Sequence, residues 1–373
     1  MHISKFAALI QISLLFVINS AIASELDAKM AKASNNLSQL MPYIYNDEAF
    51  RNKNNQAIIT NHINELISVV DQTPHLLENH ATTLQISQRS LANQLKQSKI
   101  LFESGSYSTA QYLLSGVPAI CSSCHIQDGQ QAKMTQKMNR DLFANDFTYG
   151  EFNYYIRHYS EAEQAYKRHL SKGSIQKSRI QANKTLERLL DLAIITTANL
   201  NKAEELVEES KTLPKLNPET KQTMDTWQQS LANVSLKQQT LSELETDIYA
   251  VFDEKFTLHH EFIFEEKNRP IALIWRKQLH QHLRSPQSNT DTAKALYLLS
   301  IMERTLGNQS DISLANLYLK ECMALKVKHY SSKCLNEYEN HLHFYYGGSA
   351  GEDLPPSILK ELKELKQSQV KEI

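Results

Sequence analysis

Glycine and proline are scarce in this chain, nine of each in 373 residues. Runs of alternating β-branched residues joined by hairpin dipeptides are missing almost throughout. The lack of turn punctuation argues against a sheet, and the abundance of Leu, Ala, Lys, Glu and Gln points to an all-α fold. An excess of basic charge is also missing, with 40 Lys plus Arg against 41 Asp plus Glu. No nucleic acid is expected as a partner, because that needs a basic patch. Apolar runs long enough to span a bilayer are absent too. There are four cysteines, which a single zinc knuckle plus two distant thiols would use poorly.

The N-terminus reads as a secretory signal. Lys5 supplies the positive n-region, Phe6 to Ile18 the apolar run, and Ala21-Ile22-Ala23 the small-x-small cleavage pattern. Cleavage after Ala23 removes one Lys and no acid, so 39 basic residues face 41 acids and the mature charge is −2. The product is expected to be soluble and periplasmic, with no membrane span. Residues 1–23 are thus assigned to the signal, 24–128 to a first helical domain and 129–145 to a polar linker. Residues 146–345 form a second helical domain, and 346–373 a Gly/Pro turn followed by a last helix.

Four helices are read in 24–128. The first covers Glu25–Leu40 and stops at Met41-Pro42, where proline opposes continuation. The second runs from Asn55 to Val70, with Ile59, Ile63, Leu66, Ile67 and Val70 on one stripe. Pro74 opens a third stretch that ends at Phe102, with Gly105 as its C′ residue. The fourth starts near Ser108 and directs Ala110, Leu113, Leu114 and Val117 inward. Helices of this length with short connections predict an antiparallel four-helix bundle.

At the end of the fourth helix stands Cys121-Ser-Ser-Cys124-His125. A redox dithiol belongs after a strand at the start of a helix, and here the motif closes one. A zinc site needs a second knuckle, and there is none. A disulfide between Cys121 and Cys124 would close a very small loop. Covalent haem uses all three residues: two thiols one turn apart for thioethers, and the adjoining imidazole for the iron. Randomly placed cysteines and histidines would give this pattern only about 0.002 times in such a chain. One haem c is therefore expected, held by Cys121 and Cys124, with His125 as proximal ligand. The distal candidates are Met30, Met41, His62 and His80, with His62 taken forward, although a histidine on an apolar stripe is more often a satisfied core residue. An empty distal position is the remaining option.

A haem motif closing a four-helix bundle resembles the class II c-type cytochromes (the cytochrome c-prime and c-556 group). The likeness is carried by Ser104-Gly105-Ser-Tyr107-Ser-Thr-Ala110-Gln-Tyr112-Leu-Leu114 leading into Val117-Pro-Ala-Ile-Cys121. It covers about residues 25–128 and implies haem held at one end of the bundle. The long helical extension departs from the small members of that group.

In the extension, Tyr155, Tyr159, Ala162, Ala165, Tyr166 and Leu170 have the offsets of a helical-hairpin repeat. Weaker echoes follow at Leu200–Leu206 around Ala203, and at Ile312–Leu319 around Ala315. These segments resemble tetratricopeptide repeats, although the spacing is irregular. A solenoid of this kind would dock a redox partner protein. The pairs His259-His260, His280-x-His282 and His341-x-His343 read as surface or packing residues. Cys322 and Cys334, at a helix end and the next helix start, are expected to form a disulfide outside the cytoplasm.

The expected function is that of a periplasmic monohaem electron carrier and not an enzyme. The alternative is a haem-based gas-binding or sensing protein with five-coordinate iron. The usual dihaem peroxidase is disfavoured because there is no second Cys-x-x-Cys-His.

Overall fold

A computed structural model describes residues 25, 27–76, 82–125, 138–156, 158–171, 178–196, 200–214, 216–252, 266–284, 287–306, 312–348, 351–352, 354 and 356–370. Residues 1–24 and most of the polar stretch 129–145 lie outside them. The described residues are almost entirely helical. Their only strands are β1 (Gly347–Gly348) and β2 (Gly351–Glu352), paired antiparallel. No described helix is long and apolar enough to cross a membrane. The chain divides into two compact units, one through Arg157 and one from His158.

In the first unit, α1 spans 27–44, α2 Asp47–Arg51, α3 Gln56–Asp71, α4 Thr82–Glu103, α5 Tyr107–His125 and α6 Asp146–Tyr155. Pro42 does not end α1, contrary to the sequence expectation. Proline removes one intrahelical donor, but Tyr45 N still reaches Met41 O at 3.0 Å. Leu40, Met41 and Ile44 around it are at most 3 % exposed. Burying such side chains is worth about 1.5–3 kcal/mol each, enough to offset one lost hydrogen bond.

The α3 stripe is as read, with Ile59, Ile63, Leu66 and Val70 buried. Gly105 takes φ +82°, open to glycine at little cost. Gly105 N donates to Phe102 O and Ser106 N to Leu101 O, the two bonds of a Schellman cap. That cap folds α5 back along α4. Asn145 and Thr148 form a reciprocal capping box at the start of α6. Side chains of all six helices share one core, which takes in Phe143, Phe152 and Ile156. Residues 143–156 therefore belong with the first unit, where the sequence had placed a linker and the start of the second domain.

The second unit comprises α7 (Tyr159–Ser171), α8 (Arg179–Thr196), α9 (Asn201–Lys211), α10 (Pro218–Asn233), α11 (Leu241–Phe252), α12 (Arg269–His282), α13 (Asn289–Thr305), α14 (Ile312–Ala324), α15 (Lys328–Tyr346) and α16 (Pro356–Val370). Most consecutive helices pack on one another, and α12 also packs on α8 and α10. The small residues singled out in the repeat-like stretches, Ala162, Ala165, Ala203 and Ala315, are all buried. Arg269, buried at the start of α12, pairs with Glu187 of α8 and donates to Leu306 O beyond α13. Burial acts to raise the Glu187 pKa, but Arg269 and Lys184 hold it below the usual carboxylate range.

Cys322 and Cys334 are disulfide-bonded, with Cα atoms 6.3 Å apart, at the end of α14 and in the first turns of α15. Both are fully buried. The bridge restricts the unfolded chain, so replacing both cysteines by serine should cost about 2–4 kcal/mol. A lower urea midpoint for the second unit is the expected reading. A midpoint that does not move would contradict it.

Candidate functional site

The end of α5 is built by one continuous helical pattern. Ala110, Leu114 and Val117 are fully buried and face the first core. Steps of four and three residues carry that stripe on to positions 121 and 124. His125, four residues after Cys121, falls on the same face. The three motif positions thus form the last turn of α5, which ends at His125; their structure is described at the level of the backbone. Pro118 lies within the helix one turn earlier. It withdraws its own donor and leaves Leu114 O without an intrahelical partner.

Side-chain hydrogen bonds fix which other elements reach this end. Gln94 Nε2 of α4 donates to Leu113 O of α5 at 2.5 Å, which sets the register of the hairpin. Moving four residues along each helix places Ser90 opposite Val117, one turn short of Cys121. Gln88 Nε2 donates to Val70 O in the last turn of α3 at 2.8 Å. Lys29 Nζ of α1 donates to Gln72 Oε1, just past α3, at 2.9 Å. The start of α1, the end of α3 and the start of α4 therefore gather where α5 finishes. Ser90 is 1 % exposed, and its Oγ is the one buried side-chain oxygen without a partner among the described residues of this unit.

The four distal candidates separate on this frame. Met30, half-buried, follows Lys29 and sits at the motif's end of the unit. Met41 lies eleven residues further along α1, about 16 Å at helical rise. It is fully buried in the apolar core. His62 is buried in mid-α3, and its Nδ1 faces Asn36 Oδ1 at 3.0 Å. Asn36 is six residues, about 9 Å, beyond Met30 along α1. Burial lowers the His62 pKa, with Glu65 opposing it, so the ring is neutral near pH 7. His80 lies outside the described residues.

Elsewhere, the described residues hold no group of three or more His, Cys, Asp or Glu placed for a metal ion. His280 lies 3.9 Å from Glu303, and His282 Nε2 contacts Gln239 O at 3.0 Å. His341 Nδ1 contacts Asn316 Oδ1 at 2.5 Å, and His343 lies 3.7 Å from Glu339. Each is used in packing between or along helices. The pair His259-His260 lies outside the described residues.

No protein-family model, no curated protein and no solved structure matches this chain. The site must be judged on its own residues.

The donor set fits a covalently attached haem. It offers two thiol positions one turn apart, an imidazole position beside them, and a stripe leading into a closed apolar core. A groove of about 610 Å³ in the second unit is different in kind. It is lined by polar and charged side chains, among them Lys237, Glu243 and Asp247, over Ile274 and Trp275. Its lining contains no Cys or His, hence no thiol nucleophile and no imidazole base. Three buried charge pairs of the second unit, Arg269–Glu187, Arg276–Glu303 and Arg304–Glu337, could not be read from the sequence, because each joins residues on different helices.

Proposed function

We propose that this chain is a periplasmic monohaem c-type cytochrome that transfers electrons through one covalently bound haem. The observation that carries the reading is the continuity of the buried α5 stripe into Cys121, Cys124 and His125. Haem, when bound, supplies a one-electron iron couple. Cys121 and Cys124 would hold it as thioethers, and His125 would take the proximal position. The inward stripe of α5 and the buried Val70 restrict water at that end. Met30 replaces His62 as the distal residue to test first, since Asn36, the partner of His62, lies about 9 Å beyond Met30 along α1.

The four-helix bundle proposed for the first unit rests on α1, α3, α4 and α5 sharing one core. Successive packing of α12 to α15 supports a repeat-like second unit that docks a redox partner protein. The Cys322–Cys334 disulfide supports an oxidising compartment.

A second reading, gas binding at five-coordinate iron, is favoured by one observation. Met41 and His62 both lie away from the Met30 end of α1, so a distal face without Met30 has no other described candidate. Reduced spectra with and without CO separate the two. A low-spin spectrum indifferent to CO, converted to CO-binding high-spin iron by Met30→Ala, is the expected result. Ready CO binding by the unaltered protein would favour gas binding. A chain exported without covalent haem would sink both.

A further inference from the structure

One buried hydroxyl of the first unit is left open, and it lies beside the haem motif. Ser90 of α4 is 1 % exposed, and among the described residues its Oγ has no hydrogen-bond partner. Ser98, about two turns further along the same helix and also fully buried, donates to Gln94 O at 2.7 Å, one turn back. That is an ordinary way for a core serine to satisfy its hydroxyl within a helix. Ser90 does not make the equivalent bond, nor does it reach Leu114 O, which Pro118 leaves open on α5.

Gln94 fixes the direction in which Ser90 faces. One turn after Ser90, its side chain donates to Leu113 O at 2.5 Å, so this side of α4 looks onto α5. Antiparallel register then sets Ser90 level with the buried Val117, one turn, about 6 Å, before Cys121. A porphyrin attached at Cys121 and Cys124 is wider than that step. Leu91, Ala92 and Leu95 alongside Ser90 belong to the apolar core. The hydroxyl is thus set among hydrocarbon, where an unmade hydrogen bond costs most.

We propose, resting on the cytochrome reading, that Ser90 is a further haem-binding residue whose hydroxyl donates to a propionate carboxylate of the haem. The acceptor follows by elimination from the chemistry of the group. The four ring nitrogens are engaged by iron, and the rest of the periphery is hydrocarbon apart from the two propionates. A thioether such as that of Met30 accepts only weakly. A hydrogen bond to an ionised carboxylate is roughly twice as strong as one between neutral groups, so it recovers what burial costs Ser90. The same bond draws on the carboxylate charge and lessens its preference for ferric iron.

The haem-loaded full chain, compared with Ser90→Ala and Ser90→Thr, tests this. A haem-stained denaturing gel first shows whether each chain carries covalent haem. With haem attached, Ser90→Ala should shift the propionate bending band of the resonance Raman spectrum and lower the midpoint potential, because a less screened carboxylate favours ferric iron. Ser90→Thr keeps the hydroxyl and should retain both values. Band and potential unmoved in a haem-loaded Ser90→Ala overturn the role of Ser90 and leave the cytochrome reading standing. A change confined to the axial-ligand bands would place the hydroxyl on an iron ligand and overturn the propionate assignment. An unaltered chain without haem on the gel overturns the cytochrome reading itself, and the role of Ser90 with it.

Discussion

Replacing Cys121 and Cys124 by serine is expected to abolish covalently bound haem altogether. A thioether needs a thiol, and serine offers a hydroxyl of similar shape that does not add to a vinyl group. The two positions lie on the final turn of α5, beyond Ala110, Leu114 and Val117, which stay in place. The helix should therefore survive the substitution while attachment is lost. A haem-stained denaturing gel reads the result directly: signal from the unaltered chain, none from the double variant. Each single replacement should leave one thioether and a shifted pyridine haemochrome band. His125→Ala should keep the covalent signal and change the spectrum of the native protein, since it removes a ligand and no thiol. Haem retained through denaturation by the double variant would refute the assignment, whatever its spectrum.

The readable parts of this chain were local ones. The helix class followed from sparse glycine and proline, the α3 stripe from its period, and Gly105 from its place after Phe102. Cys322 and Cys334 were paired correctly because both fall near helix ends twelve residues apart. Pro42 misled because a local rule met a packed environment: the cost of one donor is small beside three buried apolar side chains. Residues 143–156 misled for the opposite reason. Phe143 and Phe152 stack near Tyr45, roughly a hundred positions earlier, and no periodicity announces such a contact. Helix α13 is buried on nearly all sides, so it lacks the polar face that marks an amphipathic helix. Its charged residues then look like surface when they are not. The contact of Lys333 with Tyr249 joins α15 to α11 over a separation of 84 residues and leaves no trace in sequence spacing. The distal side of the candidate haem site was ambiguous for a related reason: a histidine on an apolar stripe looks the same whether it is free or already satisfied.

Glu337 carries the largest stability effect expected in the second unit. It is 3 % exposed on α15 and paired with Arg304 of α13, whose guanidinium burial pushes down to about 10. Removing one partner of a buried ion pair strands the other, so Glu337→Gln should cost about 3–5 kcal/mol. His341, one turn further along α15, makes the same region sensitive to acid. Burial first, and Arg304 second, lower its pKa from 6.5 to about 4. An imidazole that resists protonation when folded and accepts it when unfolded draws the equilibrium toward unfolding as pH falls. The loss begins near pH 6.5 and is complete near 4, amounting to about 3 kcal/mol. Glu187 and Glu303 act below that window: burial raises both, Arg269 and Arg276 override it, and their stabilisation disappears only as the carboxylates protonate. Glu266, whose carboxyl burial holds above the usual carboxylate range, opposes the loss from the upper side, so urea midpoints between about pH 7 and pH 5 are read as the difference between the unaltered chain and His341→Leu. Both tryptophans of the chain, Trp227 and Trp275, are buried in the second unit, so their fluorescence follows it without contribution from His62 in the first. A midpoint that falls with acid in the unaltered chain relative to His341→Leu is the expected result. A level midpoint in both would mean that Arg304 and burial leave the His341 proton affinity unperturbed.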